Sequence, residues 1–298
     1  MEVASAGRAQ GSRWVAVPAL LLAIGSVQFG ATLARRLFPL VGAAGATALR
    51  QGLAALLLLL FFRVWRSDFA RLNWRVLLLF GVALGCMNLA FYQAIARIPL
   101  GIAVALEFLG PLAVAIFSSR RLVDFLWIAC VALGLYWLLP LTTDAARLDP
   151  IGVALALVAG AFWGLYIIIG QKAGAAMHGG TAVALGMAVA SLLTVPVGIA
   201  HAGANLLSAA VIPLALGVAI LSSAVPFSLE MIALTRLPRR TFSLMMSLEP
   251  AVAAIAGFVF LGERLAALQV AAVGLVIVAS AGSSLTSGAQ APVTEPGT

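Results

Sequence analysis

Residues Ala54 to Phe62 read AALLLLLFF, an unbroken apolar run. The run lies in an apolar stretch over residues 42–62, which is long enough to cross a hydrocarbon core of ~30 Å as a helix. Strands of membrane β-barrels instead alternate apolar and polar residues over ~10-residue segments. The stretch therefore predicts a transmembrane α-helix.

The rest of the chain has the same character. Hydrophobic residues make up 63% of it, charged residues only 9%, and the mean hydropathy is +1.12, whereas a soluble domain carries about 25% charged residues. We expect an all-α membrane protein with short loops, polar cytoplasmic tails at residues 1–13 and 285–298, and no soluble catalytic domain. The predicted spans are 14–34, 42–62, 74–96, 101–118, 122–140, 150–170, 180–200, 211–234, 241–261 and 266–284.

The basic residues indicate how these spans are oriented. The net charge is +8, which can indicate nucleic-acid binding, but the basic residues lie in short loops where they set topology. With the N-terminus inside, twelve Lys and Arg residues fall in inner segments and five in outer loops. We therefore expect a multi-pass protein of the bacterial inner membrane with both termini in the cytoplasm, in contact with lipid and not with nucleic acid.

The chain also contains an internal repeat. Residues 94–99 read AIARIP and residues 233–238 read ALTRLP, an offset of 139, and Pro111 meets Pro250 at the same offset. The repeat divides the chain into residues 14–140 and 150–284, with five spans each. Because five is odd, the second half enters the membrane in the opposite sense. The sequence thus predicts ten transmembrane helices as two inverted five-helix repeats, an arrangement common in secondary transporters.

Four charged residues fall well inside the predicted spans, where each costs ~2.5–3.5 kcal/mol on insertion scales. They are Arg50, Glu107, Glu230 and Glu249. Glu107 and Glu249 each lie beside a mid-span proline, which cannot donate to the carbonyl four residues back. A carboxylate beside an exposed carbonyl can bind an ammonium group or a proton. The alternative is that the prolines only kink the helices and the glutamates pair with the arginine.

The other two charges have simpler interpretations. Arg50 can hold a substrate carboxylate or neutralise a glutamate, and we favour pairing because it is the commonest fate of a charge within the membrane. Glu230 lies about four residues from the end of its predicted span. We expect its side chain to reach the interface or to pair with Arg236, Arg239 or Arg240.

Neutral polar side chains within the spans extend the set of candidate binding residues. Asn88 and Tyr92 are four residues apart and share a helix face. Hydrogen bonding between helices is the alternative role for each such residue. Ser26 and Gln93 are further polar residues of these spans, and the neutral residues proposed to bind are Gln28, Asn88, Tyr92, Trp163 and Tyr166.

Several functions lack their motifs. Two cysteines and two histidines without ligand spacing predict no metal site, and we expect no cofactor. No phosphate-binding loop or hydrolase motif occurs in the sequence. We therefore expect a transporter driven by a gradient, not an enzyme.

Longer segments resemble a known family. The chain is similar to the drug/metabolite transporter superfamily, of the ten-span type with two EamA domains, and within it to bacterial inner-membrane threonine/homoserine exporters. The resemblance implies export of small amino acids, by exchange for protons. One departure is that Gly110-Pro111 in span 4 stands where span 9 has Glu249-Pro250. The segments that carry the resemblance are residues 37–42, 47–50, 98–114, 228–238, 249–251 and 261–263.

Two alternatives stay open. One is an EamA-type exporter of other metabolites or drugs, which the aromatic content of only 8% disfavours. The other is a channel, although channels usually form their pore from a ring of like polar groups. The favoured interpretation places an amino-acid site between the two halves, lined by spans 1, 3, 4, 6, 8 and 9.

Overall fold

The computed structural model describes residues 2–34, 36–69, 72–98, 100–138, 149–249, 251–252 and 267–286. Within these ranges every regular element is helical. Five helical stretches are long and apolar enough to cross a membrane, and shorter apolar segments accompany them. The prediction of an all-α membrane protein is therefore confirmed.

The helices of the first half follow the predicted spans closely. Helix α1 begins at Glu2 and so continues through the expected N-terminal tail, and the expected span 101–118 is two helices that break at Phe108. The bounds are α1 Glu2–Ala34, α2 Phe38–Phe61, α3 Trp74–Ile95, α4 Leu100–Glu107, α5 Leu109–Ser118 and α6 Leu122–Leu138.

The second half contains the irregular elements. A π-helical turn, Ile220–Ala224, joins α9 to α10 within one span. Part of the predicted span 241–261 and residues 287–298 of the predicted tail lie outside the described residues. The bounds are α7 Pro150–Ala176, α8 Gly179–Ala202, α9 Val211–Ala219, α10 Val225–Arg236, α11 Arg239–Met246 and α12 Ala267–Thr286.

Asp149 starts α7 as its N-cap. Its side chain accepts a hydrogen bond from the Ile151 backbone N–H at 2.9 Å, and Pro150 occupies the first turn, where a missing N–H does no harm. The backbone N–H of Ile151, more than the Arg97 side chain, holds the pKa of the Asp149 carboxyl below its usual value. This cap fixes where the second half begins.

The predicted spans 101–118 and 241–261 are interrupted at the residues whose carbonyls the prolines leave without a partner. Helix α4 ends at Glu107, four residues before Pro111, and α11 ends at Met246, four residues before position 250. The freed Glu107 carbonyl lies against α7, because a Cβ placed on Gly160 would come within 2.5 Å of it. The expectation that this carbonyl is exposed to a ligand is therefore wrong.

Small residues bring the two halves together. The most extensive helix contacts join α2 to α8, α3 to α7 and α8, α1 to α10, and α6 to α12. Gly81 on α3 lies against Val189 and Gly186, and Gly85 lies against Ala190. The spacing of the two glycines thus permits close helix packing.

Large apolar side chains cover the outside of the bundle. Phe117 is 85% exposed, Leu192 74% and Leu22 65%. A soluble monomer rarely carries so much exposed apolar surface. On a membrane protein these side chains face lipid, which leaves the interior for the polar residues.

Candidate functional site

Seven of the nine predicted site residues line one cavity between the two halves of the chain. The space between atoms there is about 620 Å³, which includes solvent at the open side of the cavity. Its lining comes from α1, α2, α3, α4, α7, the π-helical turn, α10 and the segment after α11. The seven residues are Arg50, Asn88, Tyr92, Glu107, Trp163, Glu230 and Glu249.

Arg50 is buried, with 4% of its surface exposed. One terminal nitrogen donates to the Ser222 carbonyl at 3.0 Å, and the other donates to Asn88 Oδ1. The guanidinium also lies 4.6 Å from the centroid of the Tyr92 ring. None of the three glutamates that line the cavity comes within 4 Å of its nitrogens. The expectation that Arg50 pairs with a glutamate is therefore wrong, and its charge is held by neutral groups.

The π-helical turn provides part of this support. A π turn leaves backbone carbonyls without their usual helical partners. The Leu221 carbonyl accepts from Ser26 Oγ at 2.7 Å, and the Ser222 carbonyl accepts from Arg50. Sequence reasoning missed Ser222, and the only local signal was a pair of serines in an apolar span.

Glu230 faces the cavity and not the membrane interface. It is 5% exposed and accepts a hydrogen bond from the Tyr166 hydroxyl at 3.2 Å. Among the described residues no ion pair joins Glu230 to Arg236, Arg239 or Arg240. Arg239 instead donates to Gln171, and Arg240 pairs with Asp124. The expectation that Glu230 reaches the interface or pairs with these arginines is wrong.

Tyr166 positions the Glu230 carboxylate through the hydrogen bond that its hydroxyl donates. It does not line the cavity and is fully buried. The Phe80 ring stacks on it with centroids 5.3 Å apart, and Phe227 meets its ring edge-on at 5.9 Å. The hydroxyl is therefore held in place to donate to the carboxylate.

Glu107 and Glu249 complete a group of three carboxylates. Glu107 lies at the end of α4 and is 8% exposed. Its side chain lines the same cavity as Glu230, Glu249 and Arg50. In the described part of the chain, no Arg or Lys nitrogen lies within 4 Å of these carboxylates. The cavity thus sets one cation against three carboxylates.

The two remaining predicted residues differ in their positions. The ring of Trp163 lines the cavity and meets Phe108 edge-on, with centroids 6.0 Å apart. Gln28 does not line the cavity, although its neighbour Val27 does. The structure brings together the charged candidates, Asn88, Tyr92 and Trp163, and leaves Gln28 apart.

Comparisons with known proteins agree with this architecture. A sequence profile of the EamA-like transporter family matches residues 150–285. The chain is 56% identical over 273 residues to the threonine/homoserine exporter RhtA of Escherichia coli K12, covering 92% of each chain. It is 54% identical to the protein of the same name from Salmonella typhimurium LT2, with the same coverage. One solved crystal structure superposes with a TM-score of 0.66 at 15% identity, over 93% of this chain and 98% of that one.

Proposed function

This chain belongs to the EamA-like transporter family, and we propose that it exports threonine and homoserine across the inner membrane in exchange for protons. The relatives named for this activity match nearly the whole chain. The observation that carries the proposal is the cavity itself, in which one arginine faces three carboxylates. Both ends of a zwitterionic amino acid find a counter-charge there.

The carboxylate end of the substrate binds near Arg50. A guanidinium presents several donors to a carboxylate in a fixed geometry. Asn88, Tyr92 and the Ser222 carbonyl hold this guanidinium without neutralising it. The substrate carboxylate is then the partner that supplies the missing negative charge.

The ammonium end binds between Glu107 and Glu249. Both carboxylates line the cavity, and no other cation of the described residues contacts them. Two ionised carboxylates that face one cavity repel each other, and an ammonium group bound between them relieves this repulsion. This arrangement selects solutes that carry both charges.

The charge balance of the cavity requires protons. A zwitterionic substrate adds no net charge, so three ionised carboxylates and one guanidinium leave an excess negative charge in a buried site. Three carboxylates exceed the one guanidinium by two negative charges, and this excess is costly unless protons reduce it. We assign the transported proton to Glu230, because the other two carboxylates hold the ammonium group and Glu230 is buried and bonded to Tyr166. A proton then enters from outside in exchange for each amino acid that leaves.

The chain folds as two inverted repeats of five helices, over residues 14–140 and 150–284. Two features support this: α4 and α11 have the same length and lie at an offset of 139 residues, and the helix contacts correspond between the halves. Under an inverted repeat, the contact of α1 with α10 corresponds to that of α7 with α3, and both are extensive. Rocking of one half against the other would give alternating access.

Transport by purified protein in liposomes tests the function. An imposed pH gradient should drive saturable uptake of labelled threonine, and unlabelled homoserine should compete. E107Q and E249Q should each reduce this uptake by at least tenfold. They remove a charge where the ammonium group binds, and a charged hydrogen bond contributes about 1.5–3 kcal/mol.

Three outcomes would contradict the proposal. Flux that stays linear with threonine concentration would indicate a channel. Competition by purines or drugs, with none by amino acids, would indicate an exporter of other metabolites. Unchanged transport by both glutamine variants would exclude the two carboxylates as the ammonium site.

A further inference from the structure

A second polar cluster joins three helices away from the cavity. Asp124 near the start of α6 pairs with Arg240 near the start of α11, with 2.6 Å between Oδ2 and a terminal nitrogen. Their side chains are 2% and 5% exposed. This ion pair is thus shielded from water.

The neighbouring arginine adds a contact to α7. Arg239 Nε donates to Gln171 Oε1 at 2.5 Å. Gln171 Nε2 in turn donates to the Leu234 and Leu237 carbonyls at 3.1 and 3.0 Å. The bend between α10 and α11, residues 234–240, is thereby tied to α6 and to α7.

This bend lies at the end of the bundle opposite to the outer part of the cavity. The lining extends toward Ala31, Tyr92 and Val104, near the ends of α1 and α3 and the start of α4. In the other direction it reaches no further than Glu230, about 6 Å along α10 before the bend begins at Leu234.

Tight packing closes the gap between Glu230 and the bend. Tyr166, Phe80, Met231 and Leu234 are each at most 1% exposed. Gly170 of α7 lies against Leu234, and Gly174 lies against Met231 and Thr235. No passage crosses this layer unless the bend moves away from α7.

The ion pair is suited to opening and closing. The backbone N–H groups of Arg120 and Arg121 lie 3.4 and 3.1 Å from Asp124 Oδ2, so the carboxylate is held in place. A buried pair gains little net free energy, because desolvation of the two ions offsets most of their attraction. Water that enters on opening rehydrates both ions, so closed and open forms can have similar free energies.

The opposite end of the bundle carries a different kind of pair. Arg97 and Asp149 are 3.2 Å apart, but their side chains are 43% and 32% exposed. Exposed pairs contribute little to stability. Of these two ion pairs, the Asp124–Arg240 pair is shielded from water and the Arg97–Asp149 pair is not.

We propose a latch that closes the cytoplasmic side of the cavity, where substrate enters. The latch is the ion pair of Asp124 with Arg240, supported by Gln171 and Arg239. The latch must break each time a substrate enters from the cytoplasm. The assignment of the latch to the cytoplasmic side rests on the proposed function and on termini in the cytoplasm. The latch itself depends only on the contacts between α6, α7 and α11.

Thiol labelling tests the latch without any amino acid present, so a different substrate would not affect the result. Cys86 and Cys130 are first replaced by serine, and fully buried Ala173 of α7 is changed to cysteine as the reporter. In inside-out vesicles, D124N and R240Q should each raise the rate of labelling by an impermeant maleimide about tenfold. The double variant D124N/R240Q should do the same, and it removes both charges of the pair at once.

D149N is the matched control, since it breaks the exposed pair at the opposite end. It should leave labelling of the Ala173 reporter unchanged. The latch is excluded if the double variant labels no faster than the parent. It is also excluded if D149N accelerates labelling as much, because that would indicate general loosening.

Discussion

At the scale of single residues, the main finding is how Arg50 is held. Neutral groups surround its guanidinium, namely the amide of Asn88, the ring of Tyr92 and the Ser222 carbonyl. An internal glutamate partner would have cancelled the charge and left nothing for a carboxylate substrate. The residue is therefore part of the binding site and not of a structural ion pair.

Replacing Arg50 by lysine should weaken substrate binding. An ammonium group cannot bond Asn88 and Ser222 and also contact the Tyr92 ring in the way that the broader, planar guanidinium does. We expect the KM for threonine to rise about tenfold or more, as for a lost charged hydrogen bond, in liposome uptake assays. R36K at the exposed Arg36 serves as the control. If R50K also kept the parent's preference for threonine over threonine methyl ester, Arg50 would not bind the carboxylate.

The E230Q variant should lose proton-driven uptake but keep substrate binding. In E230Q, exchange of threonine against threonine should continue, because no net proton movement is needed. Uptake driven by a pH gradient should fall to the level without a gradient. Y166F should lose part of this coupling, since the Tyr166 hydroxyl holds the carboxylate.

The exposed tyrosine of α6 provides the control for this pair. Y136F removes a hydroxyl from a side chain that is 56% exposed and should leave coupling intact. Full pH-driven uptake by E230Q would show that the proton binds elsewhere, with Glu107 or Glu249 as the remaining carriers.

At the scale of elements, interrupted helices build the site. Helix α4 stops at Glu107 because Pro111 cannot complete the hydrogen bond, and the π-helical turn presents the Ser222 carbonyl to Arg50. Both interruptions place polar atoms at the depth where the cavity lies. Their positions also depend on close contacts with the neighbouring helices.

Gly160 should be intolerant of any side chain. Its Cβ would meet the Glu107 carbonyl at 2.5 Å, so G160A must push α7 away from α4. We expect a loss of about 1–3 kcal/mol in stability, as for other overpacked sites, seen as a lower Tm of the detergent-solubilised protein. G25A is the control, because a Cβ there meets nothing within 4 Å. Equal Tm values for the two variants would contradict this packing.

At the scale of the whole molecule, the two halves share one cavity and are joined by contacts between them throughout. The most extensive contacts link a helix of one half to a helix of the other. Relative movement of the halves must therefore exchange many of these contacts at once. Such an exchange favours two discrete states over a continuous opening.

The orientation of the chain is a separate prediction. Reporter proteins can be fused after residue 298 and in the loop between α3 and α4, near Arg97. We expect the two fusion points to lie on opposite sides of the membrane. A phosphatase that is active only outside should be active at the loop and inactive at the C-terminus. Activity at the C-terminus would reverse the assignment and would place the latch on the outer face.

The sequence by itself determined the helices, their approximate ends, the carbonyls that the prolines leave without a partner and the short set of charges that must face inward. These follow from local rules, because hydropathy, proline chemistry and the cost of a charge in lipid act on each segment alone. Only the tertiary structure decided the partners: Arg50 with Asn88 and Ser222, Glu230 with Tyr166, and Arg240 with Asp124. These pairs lie 38 to 172 residues apart in the chain, and helix packing, which no single segment encodes, brings them together.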